Sequence, residues 1–338
     1  MGKKISKLTF IKIMKSIPSI SSEIDEDKIF EIINKNFSKL APAYYTLVTN
    51  WLIDAYKVYN GIDKFIILIY LINKDLIFFR KNGLIIDYDT FYKDKSLEIP
   101  KINISDISRD LLIPKESVRR KIEELQKKGV IKKTGKKIFI DRSGFITAKA
   151  ERTLRNFSIL ISKFSEILVT EKISSKVFDV NEVSQSIKEN FSFCWYHFYK
   201  FLFIFTNRWK TDTKTPDLET ICIGLIVTIN TVQNKAFKYR KLDRKKYLKE
   251  IKKTDHIGIN AYSISEITGI PRATVVRKLK FLLDKKFLEI NDKKLYSYGI
   301  NTKSNQNKVI SKLQDKNMNS LSEFLYRIFN QIKVVNSD

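Results

Sequence analysis

The sequence predicts a mainly α-helical chain of two tandem repeats. Each repeat would hold a helical region, a helix-turn-helix followed by a β-hairpin, and a closing helix. The 338 residues contain only six prolines and ten glycines, which is typical of a mostly helical chain. Hydrophobic residues make up 43% of the chain, enough to form buried cores. One stretch of sequence recurs 157 residues later, which indicates a repeat.

The recurring stretch is residues 113–140, which align without a gap with residues 270–297. Nine of the 28 aligned positions are identical, whereas composition alone would give about two or three. With a slightly shorter offset, the Asn-Phe-Ser of residues 36–38 matches that of residues 190–192. We therefore predict a duplication of the full length. The alternative is a small module used twice between unrelated flanks.

The duplication sets the predicted domain boundaries. The first unit is residues 1–168, with a helical region at 8–95, a helix-turn-helix with its hairpin at 101–142 and a closing helix at 148–169; the second is residues 169–338, with the same parts at 170–255, 259–300 and 306–334. In each unit an amphipathic helix, aromatic-rich helices and an apolar helix follow one another, at 27–40, 42–59 and 62–73 and at 180–190, 193–209 and 218–232. Aromatic stripes of this kind favour core faces over a cofactor site, and we expect no cofactor.

The second copy has the clearer helix-turn-helix pattern. Ser263 and Glu266 have the spacing of a capping box, which predicts a short helix over 264–268. Gly269 permits the left-handed residue that such a turn needs. Pro271 suits the first turn of the next helix, because its missing N–H is not needed there.

The first copy differs in the same region. Asn103 and Asp106 resemble a weaker cap in the place of the Ser263 capping box. This alignment leaves three extra residues around Arg109–Leu111 and no glycine in the turn. It predicts an altered entry angle for the helix that follows.

The second helix of each pair has one apolar stripe and one basic face. The stripes are Val118, Ile122 and Leu125 in the first copy and Val275, Leu279 and Leu282 in the second. Charges and small hydroxyls on the opposite face suit a helix lying in a DNA major groove. The predicted DNA-contacting residues are Lys115, Ser117, Arg119, Arg120 and Lys121, and Arg272, Thr274, Arg277 and Lys278.

A β-hairpin is predicted after each of these helices. Apolar pairs flank Lys-Lys-Thr-Gly-Lys-Lys in the first copy and Asn-Asp-Lys-Lys in the second, and such a pattern is typical of two strands and a turn. Lysines at a hairpin tip beside a helix-turn-helix can contact phosphates. The predicted tip contacts are Lys136 and Lys137, and Lys293 and Lys294.

With these motifs, residues 264–288 resemble the winged helix-turn-helix of bacterial transcription regulators of the MarR and Crp kinds. The resemblance covers about a quarter of the chain, counting both copies. It implies binding of double-stranded DNA, with residues 271–285 as a recognition helix, in the cytoplasm at the nucleoid. The first copy departs from the pattern at the turn, and the helical flanks match no regulator core. Winged helices also mediate protein contacts, and a charge-rich helix face is often simply solvated.

The charge of the chain points to an anionic partner. The formal net charge is +26, from 63 Lys and Arg against 37 Asp and Glu. Nucleic acid is the first candidate for such a partner and an anionic membrane surface the second. Residues 101–142 carry +7, residues 263–300 carry +4 and residues 235–253 carry +8. The last run is interpreted equally well as a phosphate-tracking helix or as a solvated linker.

Enzyme and metal chemistry have little support in the sequence. Two cysteines exclude a disulfide scaffold, and the motifs of phosphate-binding loops, dinucleotide folds and zinc proteases are missing. Cys194 and His197 lie three residues apart, but inside an aromatic helix without a second ligand pair, which favours a core role over zinc. No apolar run approaches the roughly 20 residues of a membrane span, and the start lacks a signal peptide. We expect a non-enzymatic, metal-free intracellular protein.

A fused duplicate would carry two DNA-reading heads on one chain, as a monomeric pseudo-dimer or a weak homodimer. Since Lys115, Glu116 and Arg119 match Arg272, Ala273 and Val276, the predicted site is an imperfect palindrome. The favoured function is transcription regulation, with any small-molecule effector left open. The alternatives are a plasmid-type replication initiator, which would bind repeated sites at an origin, and a nucleoid-associated binder with little base readout.

Overall fold

The computed structural model describes residues 26–93, 95–99, 102–135, 137–141, 150–232, 241–253, 258–299 and 305–336. The described chain is mainly helical, as predicted. Its first half contains α1 (Glu26–Lys35), α2 (Phe37–Tyr59), α3 (Ile62–Lys81), α4 (Tyr88–Tyr92), β1 (Ser96–Ile99), α5 (Ile104–Leu111), α6 (Lys115–Lys127), β2 (Ile131–Thr134), β3 (Lys137–Asp141) and α7 (Ala150–Thr170).

The second half has the same order of helices. It contains α8 (Val180–Glu189), α9 (Phe191–Thr213), α10 (Leu218–Val232), α11 (Arg244–Lys253), α12 (Ala261–Thr268), α13 (Arg272–Asp284), β4 (Leu288–Ile290), β5 (Tyr296–Tyr298) and α14 (Asn305–Asn336). Several matched helices have equal lengths: α2 and α9 have 23 residues each, and α6 and α13 have 13 each.

The two halves share one interleaved core. Helix α1 of the first half packs on α14 of the second, and α8 of the second half packs on α7 of the first. Likewise α2 packs on α10, and α9 packs on α3. The helices of each half therefore pack on helices of the other half as well as on those of their own half, as α2 does on α7 and α9 on α14.

Two pairs of backbone-mediated contacts repeat across the halves. Ile86 donates its N–H to Ser192 Oγ at 2.8 Å, and Ser192 donates its own N–H to the Ile86 carbonyl at 2.9 Å. In the same way Leu242 N–H donates to Ser38 Oγ at 2.9 Å, and Ser38 N–H donates to the Leu242 carbonyl at 3.2 Å. Each contact joins the segment after one half's apolar helix to the start of the other half's aromatic helix.

Aromatic side chains fill the middle of this core, which confirms the predicted role of the aromatic stripes. The Phe157 and Phe198 rings stack with centroids 5.4 Å apart, and Phe201 and Phe324 stack at 5.2 Å. All four side chains are almost fully buried. These contacts tie the closing helices α7 and α14 to α9.

Several predicted bounds are wrong: α1 ends at Lys35 rather than at residue 40, and α2 begins at Phe37 rather than at residue 42. Helix α3 continues to Lys81 rather than ending at Asn73, because the polar residues at 73–75 lie within the helix and Leu76 returns to the core. Helix α7 ends at Thr170, so the predicted boundary between residues 168 and 169 falls inside a helix. The connection between α7 and α8 instead spans residues 171–179.

Both predicted hairpins form. Strands β2 and β3 pair in antiparallel register, with Ile131 opposite Ile140, and β1 adds a third strand on the other edge of β3. Strands β4 and β5 pair with Leu288 opposite Tyr298. Ile259 makes an isolated antiparallel bridge to Tyr296 beside this second hairpin.

Candidate nucleic-acid interface

We call residues 102–141 the first head and residues 258–299 the second head. In the first head the Asn103 side chain caps α5, accepting hydrogen bonds from the N–H groups of Ser105 (3.0 Å) and Asp106 (3.3 Å). The helix ends at Leu112, which takes a left-handed conformation with φ of 53°. Pro114 then directly precedes α6, where its missing N–H has no consequence.

The second head repeats this arrangement residue for residue. Asn260 caps α12 by accepting a hydrogen bond from the Ser263 N–H at 2.8 Å. Gly269 takes the left-handed position with φ of 74°, as predicted, and Pro271 directly precedes α13. Both short helices have eight residues.

Two details of the predicted turn are therefore wrong. Ser263 does not begin the helix, because Asn260 caps it three residues earlier and Ser263 lies in its first turn. Asn103 matches Asn260 at the same 157-residue offset as the rest of the heads, so the first copy has no three-residue insertion. Leu112 takes the backbone conformation that glycine provides in the second head.

An equivalent serine hydrogen bond stabilises the turn in each head. Ser108 Oγ donates to the Ile113 carbonyl at 2.7 Å, and Ser265 Oγ donates to the Ile270 carbonyl at 2.7 Å. Below the turns the predicted apolar stripes are buried, which confirms the inner faces of α6 and α13; the residues are Val118, Ile122, Leu125, Val275, Leu279 and Leu282.

The outer faces of α6 and α13 are exposed with the same pattern along the helix. Of the predicted contacts, those exposed to solvent are Lys115, Arg119, Arg120, Arg272 and Arg277, while Ser117 and Thr274 are half-buried. The structure adds Lys280, which is exposed three residues after Arg277 on the same face. This spacing was already visible in the sequence.

Two predicted contacts face the core instead, and this corrects the prediction. Lys278 is only 8% exposed, and its Nζ lies 2.5 Å from Asp217 Oδ2. Lys121 is mostly buried, with its Nζ 3.7 Å from Asp63 Oδ2. In each helix this lysine lies three residues after the first apolar residue of the stripe, so helical geometry turns it inward. Neither lysine reaches the outer face.

The lysine–carboxylate contact is stronger in the second head. Burial alone would raise the pKa of Asp217, but hydrogen bonds from Lys278 and Thr220 outweigh it and hold that pKa below its usual range. Thr220 Oγ1 accepts a hydrogen bond from Lys278 Nζ at 3.4 Å and donates one to Asp217 Oδ1 at 2.7 Å. In the first head, Lys64 contacts Glu124 Oε2 at 3.1 Å and supplements the longer Lys121–Asp63 contact.

The hairpin tips differ between the heads. Lys136 lies outside the described residues. Lys137 is exposed, with its Nζ 3.0 Å from Glu98 Oε2 on strand β1. Lys293 and Lys294 are exposed at the turn of the second hairpin, with no carboxylate of a described residue within 4 Å. The second tip thus offers its positive charge more freely.

The bases of the two heads meet where α3 and α10 begin. Ile62 N–H, at the start of α3, donates to Glu219 Oε1 in the first turn of α10 at 3.0 Å. These two positions are 157 residues apart, which is also the offset between the two heads. Burial and the nearby Asp63 raise the pKa of Glu219. Since α6 packs on α3 and α13 packs on α10, the contact links the supports of both heads.

Each head also contacts an aromatic helix from the opposite half. At the end of α5, Asn207 Nδ2 donates to the Asp110 carbonyl at 2.8 Å, and Lys210 Nζ donates to the Leu111 carbonyl at 3.0 Å. These donors satisfy carbonyls that a helix end leaves without partners. In the second head α12 packs on α2 of the first half. Both heads are therefore fixed to the core on two sides.

The basic run at residues 235–253 is only partly described. Lys235, Lys238 and Arg240 lie outside the described residues. In the described part, Lys241 contacts Glu171 at 3.1 Å, and Arg244 forms an ion pair with Asp315. These two cations are therefore engaged within the protein. Lys245 and Lys246 are exposed on α11, and Lys246 Nζ lies 3.5 Å from Asp243 Oδ2.

The Cys194–His197 pair is part of the core. Burial raises the pKa of the Cys194 thiol, and burial together with Arg80 lowers the pKa of His197 to about 3. Arg80 Nη1 lies 3.0 Å from His197 Nε2, consistent with a neutral, accepting imidazole. Within the described ranges no cluster of three His, Cys, Asp or Glu side chains could hold a metal ion. No described helix combines the length and hydropathy that a bilayer span requires.

Comparison with known proteins found no match to this chain among protein-family models, curated proteins or solved structures.

Proposed function

We propose that the chain is a duplicated, sequence-preferring double-stranded DNA-binding protein, in which two winged helix-turn-helix heads sit on one interleaved core. The observation that carries the proposal is the residue-by-residue match of the heads. Both have an asparagine cap, a left-handed turn residue, a serine-locked turn, a buried three-residue stripe and a hairpin at a constant offset. Transcription regulation is the role that best fits such a pair of heads.

The charge and exposure of the outer faces support DNA as the partner. Exposed arginines occupy matched places in the two helices, at Arg120 and Arg277, and further basic residues flank them at Lys115 and Arg272. A helix of this kind can place its N-terminal residues in the major groove, while arginine and lysine contact guanine edges and phosphates. The lysines of the hairpins add phosphate contacts at the side.

The shared core supports a pseudo-dimer with preset head spacing. The Ile62–Glu219 contact and the packing of α2 on α10 and α9 on α3 join the two halves without a flexible linker between them. Once one head binds, the second is already near its half-site, so little further ordering is required. Two half-sites about one or two helical turns apart are expected.

Selection from a random duplex library with the full chain, at about 0.15 M salt, tests the proposal. The expected result is enrichment of an imperfect inverted repeat. A combined Arg120→Ala and Arg277→Ala variant should bind the enriched duplex at least about tenfold more weakly. Lys163→Ala is the matched control, since Lys163 is exposed but pairs with Glu166 on α7, away from the heads.

Other outcomes would change the assignment. A library without enrichment and without duplex binding would overturn DNA binding itself. Binding without enrichment, with a steep salt dependence, would instead indicate a nucleoid-associated binder. Enrichment of directly repeated sites would favour the replication-initiator alternative over a promoter-binding regulator.

A further inference from the structure

The outer face of α13 combines exposed apolar side chains with cations, and the helix has one acid, Asp284, at its C-terminal end. Ala273, Val276, Arg277 and Lys280 follow at helical spacing and are all exposed. Val276 is 45% exposed, although the same helix buries its own apolar stripe completely. The apolar pair lies in the first two turns, the part of such a helix that enters a groove most deeply.

The matched face of α6 has the opposite character. It contains Glu116, Arg119, Arg120 and Glu123, all exposed, and Glu116 Oε2 lies 3.7 Å from Arg119 Nε. Each acid here replaces Ala273 or Lys280, and Arg119 replaces Val276. The two helices therefore share exposed cations at only two matched places, Lys115 with Arg272 and Arg120 with Arg277.

We propose that the two heads read different bases, and that the second head recognises thymine C5-methyl groups through Val276 and Ala273. This inference rests on the proposed DNA binding. The thymine methyl is the one apolar feature in the major groove, and small apolar side chains are its ordinary partners. The first head, by contrast, reads a half-site rich in G·C pairs, where arginine contacts guanine and Glu116 accepts from the cytosine amino group.

The charge around Ala273 and Val276 favours a DNA major groove over a protein as their partner. Arg272, Arg277 and Lys280 surround Ala273 and Val276, so an anionic groove satisfies the cations while its thymine methyls cover the apolar groups. On α6, DNA phosphates would repel the carboxylates of Glu116 and Glu123. A neighbouring cation, or the amino group of a cytosine, would offset this repulsion.

The test uses the enriched duplex from the library selection with single thymines replaced by deoxyuridine, which removes only the C5-methyl group. One or two replacements in one half-site should weaken binding of the full chain about three- to fivefold each. The same replacements should have no effect on a variant that carries both Ala273→Ser and Val276→Ser. In the converse experiment, the same thymines are replaced by cytosine, which should also weaken binding. Replacing those cytosines by 5-methylcytosine returns the methyl group and should restore part of the lost affinity.

The control is Arg119→Ala in the first head, which should keep the deoxyuridine effect while relaxing the preference at guanines of the other half-site. If every deoxyuridine duplex binds as well as its thymine parent, methyl readout is wrong although DNA binding stands. A deoxyuridine effect that persists in the double variant would likewise overturn the assignment to Ala273 and Val276. Self-association that Val276→Ser abolishes, without any deoxyuridine effect, would assign the apolar pair to a protein contact. A library without enrichment would overturn this inference together with the proposed function.

Discussion

The two heads differ in their surfaces much more than in their inner faces. Their caps, turns and stripes match at a constant offset, down to one serine hydrogen bond of 2.7 Å in each turn. The second head nevertheless exposes four large apolar side chains where the first has polar ones. These are Tyr262, Ile267, Val276 and Ile290, at the positions of Ser105, Asp110, Arg119 and Lys133. Packing constrains the inner faces, whereas the outer faces are free to acquire different partners.

The largest effect on stability is expected when the two halves are separated. This experiment tests whether each half, with its head, is an independent folding unit. Because α1 packs on α14 and α8 packs on α7, residues 1–174 or 175–338 expressed alone should lack a cooperative unfolding transition. Expressed together, the two fragments should assemble and unfold cooperatively. Circular dichroism during thermal unfolding measures this, and a fragment that folds alone would show that the interleaving is dispensable.

The next largest effects on the free energy of unfolding are expected from substitution of Lys278 and Lys121, which face the core beneath the heads. Lys278→Met leaves Asp217 without its cation in a mostly buried place, and should cost about 2–3 kcal/mol of unfolding free energy. Lys121→Met should cost less than about 1 kcal/mol, because its Nζ lies 3.7 Å from Asp63. Urea denaturation measures both. Adding Asp217→Asn to Lys278→Met should recover much of the loss; equal costs in the two heads would contradict the difference in anchoring.

The contacts at the starts of the two aromatic helices, α2 and α9, should differ in how their contribution to stability depends on pH. Glu171 accepts from Lys35, Asn36 and Lys241, and the hydrogen bonds from Lys35 and Asn36 lower its pKa to about 2. The folded pKa is below the ordinary 4.5, so this stability is present above about pH 4.5 and is lost as the pH falls through about 2. Glu171→Gln should cost about 1–2 kcal/mol at pH 7, and less as the pH falls.

An analogous contact at the start of the second half's aromatic helix provides the control. Gln331 Nε2 donates to Asn190 Oδ1 at 2.9 Å, where Asn36 meets Glu171 in the first half. A Gln331→Leu variant should have a cost that does not change between pH 7 and pH 3. A flat pH response of Glu171→Gln in the same range would show that its hydrogen bonds do not depend on ionisation.

The turn residues should respond with opposite signs. Gly269→Ala places a side chain at φ of 74° and should cost about 1 kcal/mol, although the new Cβ would only touch Lys57 Cε at an ordinary 3.8 Å. Leu112→Gly should stabilise by up to about 1 kcal/mol, because Leu112 is 42% exposed and gives up little packing. Thermal unfolding of both variants measures the signs. A destabilised Leu112→Gly would mean that the leucine packs more than its exposure indicates.

The smallest effect is expected at the hairpin tips. Lys293→Ala should weaken binding to all duplexes about two- to threefold and reduce the salt slope by about one. Lys137→Ala should change both by less than half as much, since Glu98 already neutralises its charge at 3.0 Å. Titrations at three salt concentrations measure the slopes. Equal slopes for the two variants would show that the Glu98 contact breaks on binding.

Local periodicity was enough to predict the inner parts of the heads. The stripes, the hairpins and the left-handed Gly269 follow from spacing and residue type, and the structure confirms them. The position of Ser263 was wrong because a Ser-x-x-Glu spacing also occurs one turn inside a helix that an asparagine caps. Lys278 was assigned by charge, although its place beside Val275 and Leu279 already turned it inward.

The sequence alone does not predict how the helices of the two halves interleave in one core. Amphipathic patterns show that α1 and α8 have an apolar face, but they do not say which helix covers it. The same holds for Leu112, since a left-handed leucine is rare and only the surrounding turn, locked by Ser108, holds it there. Long-range packing determines the partner helices of α1 and α8, whereas the surrounding turn determines the backbone conformation of Leu112.

The contact between Ile62 and Glu219 has a consequence for how this molecule can change over generations. In an assembly of two identical chains, a mutation at the symmetry axis appears on both sides, and a new glutamate there would face its own copy. One continuous chain carries each mutation once, so a carboxylate can sit opposite a backbone N–H. The same freedom lets one head carry a valine where the other carries an arginine, so the two outer faces can diverge separately.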